Sequence, residues 1–214
     1  MSGTEIFIAC KLDRRQKKLF LQSHGGERVP RTRDRRIRLV VFDLGDTLMC
    51  SEDDQRAFNR QPGEMLDENA MVEAPGRVVR LFPGVRELFL ELASRGTYVS
   101  VASLNVPWAY KWLGPGYFDL ETSHLHFPIT EAGDSWDDTK GYWVEKIINW
   151  FNRYVVPGDP ILPENVLFVD DLARCHRAVT RVVPGVTCAF PTPHVEGGML
   201  SLLELVDELE SASG

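Results

Sequence analysis

Carboxylates directly follow buried apolar segments at two points of this 214-residue sequence. The run 40–42 ends in Asp43, and the run 165–169 ends in Asp170 and Asp171. In an open parallel sheet, ligands bind just beyond the carboxyl ends of the strands, so carboxylates placed there face a site. Such oxygen ligands suit Mg²⁺, which keeps waters for a substrate phosphate. Asp43 can also act as a nucleophile, because aspartate forms aspartyl-phosphate intermediates.

Two further polar side chains fall at the ends of predicted elements. Ser103 follows a strand, and Lys140 begins a helix. These groups can bind phosphoryl oxygens and neutralise charge in a transition state. Taken singly, an Asp after a strand is a turn former, a Ser is a helix cap and a Lys is surface charge. Their joint placement favours a site.

The elements that must position these groups alternate between strands and helices. Predicted strands cover residues 38–44, 98–102, 123–127, 165–169 and 186–190, and predicted helices begin at Pro83, near Trp108, at Lys140 and at Met199. The first of these helices has apolar residues at i, i+3, i+4 and i+7 and ends at Gly96. The alternation predicts right-handed crossovers, hence a Rossmann-like, doubly wound α/β fold with a parallel sheet.

The length of the chain favours one catalytic domain over residues 37–214, preceded by a segment 1–36. That segment is predicted to form a hairpin, or a helix across 12–22, followed by a linker. Residues 50–82 form a small insertion after the first strand, in which 70–74 and 77–82 flank Pro75 and Gly76 as a β-hairpin. Residues 50–69 are polar and are expected to be a loop or a short insertion over the strand end.

Charge is unevenly distributed. Residues 11–38 contain eleven Lys or Arg and three acids, so the net charge of −7 leaves the remainder at −15. The basic leader could contact nucleic acid, an anionic surface or an acidic partner, although a solvated surface segment is favoured. Four scattered cysteines and the lack of an apolar signal or membrane-spanning run favour a reduced, cytoplasmic protein, with the nucleus as the alternative compartment.

The motifs resemble those of the haloacid dehalogenase superfamily: Asp43 to Thr47, then Ser103, then Lys140, then the pair Asp170 and Asp171. Within it, the chain is most similar to small Mg²⁺-dependent phosphatases without a large cap, on local signatures at 77–85, 102–103 and 185–188. The resemblance covers 37–214.

The resemblance implies hydrolysis of a phosphomonoester through an aspartyl-phosphate on Asp43. It implies Mg²⁺ held by Asp43, Asp170 and the backbone carbonyl of Gly45. The implied substrate contacts are Ser103, Leu104, Asn105 and Lys140, with Thr47 and Asp171 in support.

Two positions depart from the family pattern. Gly45 stands where the family has the aspartate that protonates the leaving group and then activates water, a contribution on the order of 10² to 10⁴ in rate. Asp46 follows it; in an extended chain its side chain points the other way, whereas a tight turn brings it near. Cys175 replaces an Asn that supports the metal site, and His176 is a candidate to compensate.

The leading hypothesis is a slowed Mg²⁺-dependent phosphatase acting on a small phosphorylated compound or a phosphoresidue on a protein. The alternative is a catalytically silent member of the fold that works as a binding or scaffolding protein through its basic leader. Processing of nucleic-acid ends is disfavoured, because the acidic body would repel a polyanion.

Overall fold

The computed structural model of this protein describes residues 37–51, 62–73, 77–104, 112–114, 117–120, 129–131 and 139–211. The predicted leader hairpin, the strand at 123–127 and most of the helix near Trp108 lie outside these residues. Among the described residues, no helix combines the length and apolarity needed to cross a bilayer.

A five-stranded parallel sheet forms the body of the protein, with strand order β7-β6-β1-β8-β9. Its strands are β1 (Leu39–Phe42), β6 (Tyr98–Leu104), β7 (Ile129–Glu131), β8 (Val166–Val169) and β9 (Thr187–Ala189). The chain moves outward from β1 to β6 and β7, then returns to the other side of β1 for β8 and β9. The strand order therefore reverses between β1 and β8, which is where doubly wound sheets bind their ligands.

In the part of the chain that the structure describes, four α-helices cover the two faces of this sheet. They are α1 (Val85–Ser94), α2 (Thr139–Tyr154), α3 (Ala173–Val182) and α4 (Leu202–Ser211). Because side chains alternate across a strand, Val40 and Phe42 pack in the cluster that contains α1 and α4, whereas Leu39 and Val41 pack in the one that contains α2 and α3. The predicted doubly wound α/β class is confirmed.

Helix α3 was not among the sequence predictions. Its buried positions are Cys175, Ala178 and Val179, which are small or weakly apolar and alternate with exposed arginines. Small residues suffice there because α2 lies close: a Cβ on Gly141 would come within 2.7 Å of the Ala178 carbonyl oxygen. A helix buried through such residues gives little hydrophobic signal.

The insertion after β1 is larger than the predicted hairpin. It is a four-stranded antiparallel sheet in the order β2-β5-β4-β3, formed by β2 (Met49–Ser51), β3 (Pro62–Asp67), β4 (Ala70–Glu73) and β5 (Arg77–Leu81). The β4–β5 pairing is the predicted hairpin. The expected loop 50–69 is wrong in part, because β2 ends and β3 lies within it. As an edge strand, β3 begins with proline and exposes Glu64 and Leu66, so its composition is that of a loop.

The insertion returns to the point where it leaves the main sheet. Met49 pairs with Leu81, and the Phe82 N–H donates to the Leu48 carbonyl at 3.0 Å. Helix α1 then begins after Gly84, whose φ of 82° favours glycine. The turn that follows Asp43 is thereby tied to the start of α1.

Candidate active site

Backbone pairing places the two acidic motifs side by side. Phe42 at the end of β1 is in register with Val169 at the end of β8, and the Asp43 N–H donates to the Val169 carbonyl at 2.9 Å. Asp170 follows Val169, and its own N–H donates to the Ala189 carbonyl at 3.2 Å. Asp43 and Asp170 therefore flank the point where the strand order reverses.

Lys140 joins these two carboxylates. It is the second residue of α2 and only 1% exposed. Its Nζ donates to Asp43 Oδ1 at 2.5 Å, to Asp170 Oδ2 at 2.9 Å and to the Ala102 carbonyl at 2.7 Å. A lysine ammonium has three donors, and all three are satisfied by protein acceptors. The sequence predicted Lys140 as a site residue but not the Ala102 carbonyl, which no side-chain pattern can reveal.

Burial and mutual charge set the protonation of the cluster. Burial would lower the pKa of Lys140, but attraction by the carboxylates of Asp43 and Asp170 outweighs it and raises that pKa above its usual value. The pKa of Asp43 is also raised, first by burial and then by repulsion from Asp170, with Lys140 and Ser103 acting against the shift. We conclude that the ammonium stays charged and is what allows two carboxylates to be buried together.

Three carboxylates form a group that fits a metal ion. Asp43, Asp170 and Asp171 each offer an oxygen, and these oxygens lie within 4.8 Å of one another. Asp170 Oδ1 accepts the Leu172 N–H at 2.9 Å and keeps a further lone pair. Burial, followed by repulsion from Asp170 and Asp43, raises the pKa of Asp171 to about 6. A half-buried, oxygen-only set with excess negative charge suits a hard divalent cation such as Mg²⁺.

The turn after Asp43 is tight. The Leu44 carbonyl accepts the N–H groups of Thr47, Leu48 and Met49 at 3.3, 2.9 and 3.1 Å. Asp46 adopts a φ of 55° and is exposed. Its charge is one of those that raise the pKa of Asp171. Of the two arrangements considered from the sequence, the tight turn is the one found.

No protein-family model matches the sequence, and neither does any curated protein. Among solved structures, the chain is similar to an uncharacterized protein from Listeria monocytogenes serotype 4b, at 14% identity over 82% of this chain and 99% of that one, with a TM-score of 0.52. The chain therefore shares the doubly wound α/β fold of that structure.

Two other solved structures are similar to the chain at lower TM-scores. One is the N-terminal part of a Bacteroides fragilis protein containing a phosphatase domain complexed with Mg, at 18% identity and a TM-score of 0.47, covering 81% of this chain and 40% of that one. The other is a predicted phosphoglycolate phosphatase from Haemophilus somnus 129pt, at 13% identity and a TM-score of 0.42, covering 79% and 98%. The chain spans less than half of the Bacteroides chain.

The structure places the remaining predicted site residues as follows. Ser103 is buried within β6 rather than after it, and its hydroxyl hydrogen-bonds to the Asp43 carboxylate. Leu104 is half-buried at the end of the same strand, and Asn105 lies outside the described residues. Thr47 is fully buried, and its Oγ1 has no hydrogen-bond partner among the described residues.

Two residues of α3, Cys175 and His176, contact Asp170 through their side chains. The buried Cys175 hydrogen-bonds to its side chain, and burial, followed by repulsion from Asp170, raises the pKa of this thiol to about 12. His176 Nε2 lies 2.9 Å from the Asp170 carbonyl oxygen. The position at which an Asn was expected is therefore filled by a neutral thiol, with a histidine beside it.

Proposed function

We propose that this chain is a Mg²⁺-dependent phosphomonoester hydrolase that acts through an aspartyl-phosphate on Asp43, with turnover slowed by the glycine at position 45. The observation that carries the proposal is the buried bridge from Lys140 to both Asp43 and Asp170. Burying one cation and two carboxylates costs several kcal/mol in desolvation for each ion, on the order of magnitude seen for buried charges. A purely structural role rarely justifies such a cluster at the ligand-binding edge of a sheet.

In this reaction the Asp43 carboxylate attacks phosphorus, the bond to the leaving oxygen breaks, and water later hydrolyses the acyl phosphate. Lys140 favours the ionised form of Asp43 against the effect of burial and offsets negative charge on the phosphoryl group. Because its three donors are already used, it exchanges one protein acceptor for a phosphoryl oxygen. Mg²⁺ held by Asp43, Asp170 and Asp171, together with the Gly45 carbonyl, would reduce the repulsion between the nucleophile and the phosphate.

Gly45 is the reason to expect slow turnover. Without a carboxyl there, no group of the kind used by the family protonates the leaving oxygen, so substrates with poor leaving groups react slowly and the phosphoenzyme is long-lived. An aryl phosphate needs little protonation of its leaving group. Such a substrate therefore tests the remainder of the site fairly.

The test measures phosphate release from an activated aryl phosphate with Mg²⁺. The wild-type protein should release phosphate, and Asp43→Asn should not. Gly45→Asp should raise turnover by roughly 10-fold or more, since general acid–base assistance is worth 10² to 10⁴. If wild type and Asp43→Asn are equally inactive, the proposed function is wrong.

The alternative is a silent binding protein of the same fold, which the glycine at position 45 also favours. On that view Gly45→Asp gives no gain in turnover. Deleting residues 1–36 would then abolish binding of an acidic partner. On the hydrolase view, the same deletion leaves hydrolysis unchanged.

A further inference from the structure

The ring of His176 is held in one position beside the turn that contains Asp170 and Asp171. Its Nε2 lies 2.9 Å from the Asp170 carbonyl oxygen. Its ring centroid is 4.5 Å from that of Phe190, and the ring of Phe168 meets it edge-on at 6.2 Å. A carbonyl oxygen only accepts, so Nε2 must carry the hydrogen and donate it. The two aromatic neighbours fix the plane of the imidazole that makes this bond.

Asp170 is thereby restrained at four of its atoms. Its N–H and its two carboxylate oxygens bond to Ala189, Leu172 and Lys140, and its carbonyl accepts from His176. The bond to the carbonyl comes from a side chain that is itself packed between the rings of Phe168 and Phe190. Removing it frees the Asp170 carbonyl to rotate and, with it, the turn that leads to Asp171.

We propose that His176 is a positioning residue that holds Asp170 and the turn to Asp171 in the orientation needed to bind Mg²⁺, an inference that rests on the proposed function. The role is that of a hydrogen-bond donor, so it does not depend on a change of protonation. Groups that orient metal ligands from behind typically contribute 10- to 100-fold to metal affinity.

Substitution by Gln or Met distinguishes the effect of the hydrogen-bond donor at position 176 from the effect of side-chain size. In Gln the terminal amide nitrogen is as many bonds from Cα as Nε2 is in histidine, so His176→Gln retains the donor. His176→Met has the same length and no donor. The amide donor of His176→Asn is one bond too short to reach the Asp170 carbonyl, so this variant serves as the second one that lacks the bond if the methionine protein does not fold. Arg177→Met is the control, because Arg177 is an exposed neighbour on the same helix.

The experiment measures the Mg²⁺ dissociation constant of each full-length protein by calorimetry, with the unfolding midpoint in EDTA as a check of folding. We expect His176→Met and His176→Asn to bind 10- to 100-fold more weakly, as such supporting groups do elsewhere. His176→Gln should stay within about threefold of wild type, and Arg177→Met should be unchanged. In assays, the Mg²⁺ concentration for half-maximal rate should rise in the same order.

Wild-type affinity in His176→Met overturns the inference, and so does an equal loss in His176→Gln. A wild-type protein that binds no Mg²⁺ overturns the inference and the proposed function together. A wild-type protein that binds Mg²⁺ but releases no phosphate from an aryl phosphate overturns only the function, and the affinities of the variants then decide the inference alone.

Discussion

Replacing Lys140 by methionine tests the electrostatic description of the site directly. The ammonium donates to two buried carboxylates and one carbonyl at 2.5 to 2.9 Å. Methionine fills much of the same space but leaves Asp43 and Asp170 facing each other without a counter-charge. Hydrogen bonds to charged groups are worth about 1.5–3 kcal/mol each. Relief from burying the ammonium offsets part of that loss, so we expect the free energy of unfolding to fall by about 3–5 kcal/mol, as for other broken buried pairs.

The measurement is urea-induced unfolding in EDTA at pH 7.5, followed by circular dichroism. The deficit should shrink at lower pH, because the unpaired carboxylates then take up protons and the repulsion disappears. Saturating Mg²⁺ should return part of the stability, about 2.7 kcal/mol at 100 times the dissociation constant. Lys146→Met, the same change at a more exposed position of the same helix, should cost at most about 1 kcal/mol.

A second substitution makes the test more specific. Adding Asp170→Asn to Lys140→Met removes one of the two facing charges. The double variant should therefore be less destabilised than the sum of the single variants by at least about 1 kcal/mol, within the range found for residues in contact. A Lys140→Met protein within about 1 kcal/mol of wild type in EDTA, where broken buried pairs cost several times more, would refute the reasoning.

Two further predictions concern stability. Gly198→Ala should lower the free energy of unfolding in urea by about 3 kcal/mol, because φ is left-handed at 58° and the new Cβ would lie 2.4 Å from the Pro83 carbonyl oxygen. Gly197→Ala, with φ 83° but no atom within 4 Å of the Cβ, should lower it by about 1–2 kcal/mol. Gly158→Ala, the control, should lower it by about 0.5 kcal/mol or less. In EDTA, Asp171 holds a proton in the folded state after the unfolded chain has released it, so its contribution to stability falls as pH rises from about 4 to about 6. The raised pKa of Asp171 limits that loss of stability to about 3 kcal/mol, and the partial exposure of the side chain reduces it to roughly half. Asp171→Asn should remove this pH dependence.

Most strands of the main sheet could be predicted from the sequence because they are buried on both faces. The segments β1 and β8 are continuous apolar runs that end in Asp43 and Asp170, and their burial is complete. Once both strands belong to one parallel sheet, their carboxyl ends must meet. The placement of Lys140 beside them followed from its position at the start of an amphipathic helix. The proximity of Asp43 and Asp170 could therefore be anticipated from residue types and order, whereas Asp171, the third carboxylate of the group, was expected only in a supporting role.

Three features could not be predicted because their cause is not in the local sequence. Strand β3 is paired on one side only and exposes Leu66, so it carries no strand pattern. Helix α3 is buried through small residues that fit because α2 approaches at Gly141. The Ala102 carbonyl is a backbone acceptor, and only the register of β6 beside β1 brings it under Lys140. Each of these depends on a partner that is distant in sequence.

In the turn after Asp43, the backbone conformations of Gly45 and Asp46 differ from those that their residue types suggest. Glycine is the usual residue in a left-handed backbone, yet Gly45 lies outside that region, and the Leu44 carbonyl closes the turn by accepting backbone N–H groups. The backbone dihedral at position 45 therefore does not require glycine, and the lack of a carboxyl there is a chemical difference rather than a need of the backbone. Asp46 holds the left-handed position, where Asp is among the few tolerated residues besides glycine. Gly45→Asp thus adds a carboxyl without placing a side chain on a left-handed backbone, which is why its turnover separates a slowed hydrolase from a silent binding protein.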